Sequence, residues 1–308
     1  MKRVIGSLLG ALFALGVVAP KASAVTLLAG SNNDVFITDV EVLLDGHGSI
    51  KSTSVAPVVG DTLFGIINVQ NIDALGITRF AQSISPVNQL SGVFAQKIVD
   101  ITTHGGIVHF TLGNPTLSTY DGIASPFAAG EMFRLYTDVG GTAYKTNGPI
   151  ASDVAAATDG TLWASLGLDA TNGAGPDGLF GTADDTGYMY SHPINVGTTN
   201  VQGVAFGALN FKVNNTGYSF DLVNDINECE VGGGLPTDPV PCLKSPLILN
   251  QLVFTSKFDL NRTVGSPWQF ASNDPGLIHP GVVPEVSSLW MLGMGLGGFG
   301  VFRRRKSA

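Results

Sequence analysis

Leu252-Val253-Phe254-Thr255-Ser256-Lys257-Phe258-Asp259-Leu260 decides the fold class. Leu252, Phe254, Phe258 and Leu260 share one parity, and Thr255, Lys257 and Asp259 take the other. A period of two places one set on each face of a strand, so this segment reads as a half-buried β-strand. The same alternation recurs in Phe36, Val40, Val42 and Leu44, in Val108, Phe110 and Leu112, in Leu209, Phe211 and Val213, and in Phe220 and Leu222. Asn214-Asn215-Thr216-Gly217 and His104-Gly105-Gly106 each separate two alternating runs, so a hairpin is expected at both. The best helix candidate is Ile150 to Ala157, with Pro149 at its start and Gly160 soon after its end. Many short strands with such turns predict an all-β protein, an antiparallel β-sandwich or jelly-roll ectodomain over residues 25–280. Two glycine-rich excursions, 169–187 and 224–246, interrupt the alternation.

Composition agrees with that class. Charged residues are 13% of the 308 and apolar ones 44%, with 40 glycines, which excludes both a charge-rich coiled coil and a disordered chain. Residues 25–286 hold nine cations against all 24 acids, a net charge of −15. That field disfavours nucleic acid and anionic surfaces and favours divalent cations or cationic polymers, and it also keeps an exported protein in solution.

The flanks of this body carry a different signal. Met1-Lys2-Arg3, an apolar run from Val4 to Ala19 and the small-residue site Ala22-Ser23-Ala24 form the charge, core and cleavage pattern of a secretory signal. Signal peptidase is therefore expected to cut after Ala24, between a signal peptide of residues 1–24 and a mature chain starting at Val25. A second apolar run, Val286 to Phe302, is followed at once by Arg303, Arg304, Arg305 and Lys306. Seventeen residues at about 1.5 Å each reach about 26 Å, enough for a transmembrane helix near the lower length limit. The cations would stay on the cytoplasmic side, leaving the rest outside.

Val283-Pro284-Glu285, the short glycine- and leucine-rich span and the closing cations together resemble the PEP-CTERM sorting signal of Gram-negative bacteria, with Val286 where the second proline is usual. The resemblance covers residues 283–306. It implies passage through the inner membrane, processing near Pro284-Glu285 by an exosortase, and delivery to the cell surface or extracellular matrix. Members of that family are commonly linked to exopolysaccharide and biofilm matrix.

Within the body, Cys229 and Cys242 are close enough in sequence to form one disulfide in an oxidising compartment. The alternatives are two free thiols or half of a metal site, for which the loop offers no histidine. Asp169, Asn172, Asp177, Asp184 and Asp185 form the densest polar constellation. Oxygen ligands on a glycine-rich loop suit a hard cation such as calcium, although the spacing is not that of an EF-hand and such residues also suit a solvated turn. No cofactor is required by any motif.

No catalytic constellation emerges. His47, His104, His109, His192 and His279 are scattered, and Trp163-Ala164-Ser165-Leu166-Gly167 has Trp where a nucleophile elbow needs Gly. Paired carboxylates are spatial and cannot be read from spacing. Trp163, Trp268 and the tyrosines could line a sugar-stacking face or fill the core. The expectation is a non-enzymatic structural or adhesive protein of an exopolysaccharide matrix. The alternative is a carbohydrate-binding module for that polysaccharide, with a secreted hydrolase third.

Overall fold

The computed structural model describes residues 25–53, 55–84, 86–104, 107–168, 188–194, 202–221, 251–259 and 267–282. These residues form β1 (Asn33–Leu44), β2 (Thr62–Ala74), β3 (Ile77–Ala81), β4 (Ser83–Ile84), β5 (Val87–His104), β6 (Ile107–Gly113), β7 (Thr119–Tyr120), β8 (Ile123–Ala124) and β9 (Phe133–Val139). After the helix α1 (Ile150–Ala157) come β10 (Thr161–Gly167), β11 (Tyr188–Ile194), β12 (Gln202–Asn214), β13 (Tyr218–Asp221), β14 (Leu252–Asp259) and β15 (Phe270–Val282). The expected all-β, antiparallel class is present, and α1 has the predicted bounds with Pro149 as its N-cap residue. Among the described residues no helix is long and apolar enough to cross a membrane.

All the strands except β7 and β8, which pair with each other, run as one sheet, nearly closed into a barrel, where two stacked sheets were expected. The reason is strand length. The 18-residue β5 pairs with β2 along one edge and carries β9 and then β6 end to end along the other. The 13-residue β12 likewise has β14 on one edge and β11 followed by β10 on the other. The path from β5 through β2, β1, β15 and β14 to β12 therefore returns to β5 by way of β11–β6 and β10–β9. Such closure removes the exposed sheet edges that invite aggregation.

Two apolar clusters hold this sheet. Val35, Ile37, Ile67, Val69, Phe94, Ile98, Phe133, Trp163 and Leu166 belong to the first, which lies inside the curl. Val40, Val42, Leu44, Phe64, Ile66, Val93 and Ala95 belong to the second, which α1, Tyr120 and Trp268 cover from outside. β1, β2 and β5 are thus buried on both faces, and Tyr120 stacks on Phe64 with ring centroids 4.7 Å apart.

One expected hairpin is corrected. β5 and β6 do pair across 105–106, with His104 opposite Ile107. β12 and β13 do not: β13 pairs with β15, Tyr218 opposite Val282. Side chains close the turn in place of a ladder, with Asn214 Nδ2 donating to the Tyr218 carbonyl at 2.8 Å and the Tyr218 N–H donating to Thr216 Oγ1 at 3.1 Å.

Candidate functional site

Most residues singled out by sequence lie outside the described residues: Ala22 and Ala24, Val283, Pro284 and Glu285, Arg303 to Lys306, Cys229 and Cys242, and the acidic set Asp169, Asn172, Asp177, Asp184 and Asp185. The described body holds three buried polar clusters instead, and each joins residues far apart in sequence: Asp39 to Ser272, Glu131 to Ser165, and Asp153 to Trp268.

The first faces the barrel interior where β1 meets β15. Asp39 lies opposite Ser272, and Ile37 opposite Asp274. Ser272 Oγ is 2.5 Å from Asp39 Oδ1 and 2.8 Å from Asp274 Oδ1, and the Ser272 N–H donates to Asp39 Oδ1 at 3.0 Å. One hydroxyl proton can serve only one of the two carboxyl groups at a time. Glu41, two residues along, is 7% exposed and lies between Gly65 and Phe270 in register. Burial first, and then the neighbouring Asp39 charge, push its carboxyl well above the usual range.

A raised folded-state value makes this a stability statement. Below the unfolded carboxyl range Glu41 is protonated in both states and costs nothing. As pH rises, the unfolded chain ionises while the folded one resists, so stability falls until the folded value is passed. Glu41→Gln is expected to raise the melting temperature at about pH 8 and to leave it nearly unchanged at about pH 4. Equal melting curves at both values would show that no such penalty exists.

The second cluster lies between β9 and β10. Ser165 Oγ donates to Glu131 Oε1 at 2.6 Å, the Ala128 N–H donates to Glu131 Oε2 at 2.8 Å, and Arg134 Nε lies 3.4 Å from Glu131 Oε2. Arg134 also donates to the Pro126 carbonyl. Ser165 is fully buried in mid-strand, a position no substrate reaches and unlike a strand-to-helix elbow. The third cluster ties α1 to the sheet: Asp153 accepts from the Gly148 N–H at 3.2 Å and from Trp268 Nε1 at 3.0 Å.

These clusters satisfy buried groups and brace strands. Asp39 and Asp274 share the Ser272 hydroxyl, yet they are only 7% and 6% exposed. Among the described residues no group of three or more His, Cys, Asp or Glu is placed to hold a metal ion. Trp163 and Trp268 are buried core residues, so neither offers a sugar-stacking face. His279 lies at the surface, with Nδ1 2.9 Å from Asn32 Oδ1 and Nε2 3.8 Å from Asp221 Oδ2.

Fold and clusters together define a side-chain-filled antiparallel β-barrel-like body. No protein-family model matches the chain, and no curated protein matches it.

Proposed function

We propose that this is an exported cell-surface or extracellular-matrix protein, sorted by a PEP-CTERM-like signal and serving as a structural or adhesive component of an exopolysaccharide matrix. One observation carries the reading: Val283-Pro284-Glu285, a 17-residue apolar run and four consecutive cations stand in that order, in a chain that opens with a secretory signal pattern. A body held by two apolar clusters, with net charge −15 over 25–286, suits a durable outer component. At the finer level of fold, we read the curled sheet as a flattened, sandwich-like barrel, because β1, β2 and β5 form a layer covered on both faces.

Fractionation tests the reading. In a secreting Gram-negative host, the intact chain is expected in the envelope and matrix fractions, and deletion of residues 283–306 should move it to the soluble exported fraction. An unchanged distribution would remove the sorting role. Pull-down on matrix polysaccharide separates scaffold from carbohydrate-binding module: saturable, sugar-competable binding would favour the module.

A further inference from the structure

Both ends of the barrel expose aliphatic side chains, and the route of the chain distinguishes them. At the end where β1 stops and β2 starts, Ile50, Val55, Val58 and Val59 are 40–57% exposed. At the opposite end, Leu75, Ile77, Ile84 and Val139 are 55–76% exposed, and Phe36 lies nearby at 43%. Leu75 forms the tip of the β2–β3 hairpin at φ +53°, a conformation that disfavours a bulky side chain. Ile84 stands beside the start of β5, and Val139 lies opposite Asn88 at the end of β9.

The chain enters and leaves the barrel at this second end. Val25 and Leu27 are buried in the inner cluster, and the Gly30 N–H donates to the Pro280 carbonyl at 2.7 Å just before β1 begins. β15 passes Asn33 at Ile278 and runs on to Val282, its last four residues paired with β13. The apolar run begins at Val286, four residues later, which at full extension is within about 14 Å.

We propose that this end of the barrel lies against the lipid bilayer while the 286–302 run is inserted, with Leu75, Ile77, Ile84 and Val139 immersed in the interfacial layer. The inference rests on the membrane-inserted tail of the proposed function. A short tether keeps these side chains at the headgroup level, where burying aliphatic surface is favourable. Exposed Asp34 and Asp221 at the same end make a zwitterionic surface the better match.

The test reconstitutes the full chain in phosphatidylcholine vesicles with brominated acyl chains, which quench indole emission at the membrane. Leu75→Trp, Ile84→Trp and Val139→Trp are compared with Val58→Trp at the far end, each as emission added over the parent. The emission added at 75, 84 and 139 is expected to lose about half its intensity, with that at 58 nearly unaffected. Three positions guard against one variant failing to fold. Flotation of the chain with vesicles but equal quenching at 58 and 75 would overturn the orientation alone. Failure to float would overturn the inserted tail, and the orientation with it.

Discussion

Gly92→Ala is expected to destabilise the fold by more than about 4 kcal/mol, a large share of the about 5–15 kcal/mol that holds an ordinary domain folded. Gly92 sits within β5, opposite Ile67 of β2 and Leu135 of β9. A Cβ built there would lie 1.8 Å from the Arg134 carbonyl oxygen and 2.8 Å from its carbon. Those atoms are backbone in a paired neighbour, so relief requires β5 and β9 to part. Separation would break the ladder at the strand that closes the barrel and open the Phe94–Phe133 stack, whose centroids are 5.6 Å apart. Gly46→Ala is the control: its Cβ would meet nothing nearer than 3.9 Å. Urea unfolding of the two variants should differ by about 4 kcal/mol or more, and similar midpoints would refute the packing argument.

Trp268→Ala is expected to cost about 3–5 kcal/mol. The indole is 2% exposed within the outer cluster and donates to Asp153 Oδ2, linking α1 to the sheet. Removing it leaves a cavity in that cluster and takes a hydrogen-bond partner from a buried carboxylate. The next residue, Gln269, is stitched to β1, its N–H donating to the Glu41 carbonyl at 2.8 Å and its Oε1 accepting from the Leu43 N–H at 2.8 Å. Trp268→Phe keeps much of the packing and loses the donor, so it should cost about 1–2 kcal/mol. A smaller loss for Ala than for Phe in chemical denaturation would contradict the assigned roles.

What the sequence disclosed followed from periodicity. Val108, Phe110 and Leu112 alternate, and Phe110 and Leu112 fill the inner core, while Pro149 caps the start of α1 and Gly160 follows soon after its end. Strands buried on both faces were harder to read. In β1 the outer set Val40, Val42 and Leu44 was visible, but Val35, Ile37 and Leu43 are buried on the other face, with a pairing irregularity between Phe36 and Ile37. β15 escaped notice because Pro275, Gly276, Pro280 and Gly281 argue against a central strand. Pro275 is tolerated because the β14–β15 ladder is interrupted there, between Phe254↔Gly276 and Lys257↔Asn273. The contacts that define the polar clusters are long-range and leave no local signal: Asp39 and Ser272 are 233 residues apart, and Asp153 and Trp268 are separated by 115. Asp121-Gly122, both at positive φ between β7 and β8, was a hairpin signal present in the sequence.

The most direct measurement is the intact mass of the protein recovered from the envelope and matrix of a secreting Gram-negative host. A species beginning at Val25 and ending near Glu285 is the expected result. Recovery of the uncut chain from Met1 through Ala308 in the cytosol would contradict export and sorting together.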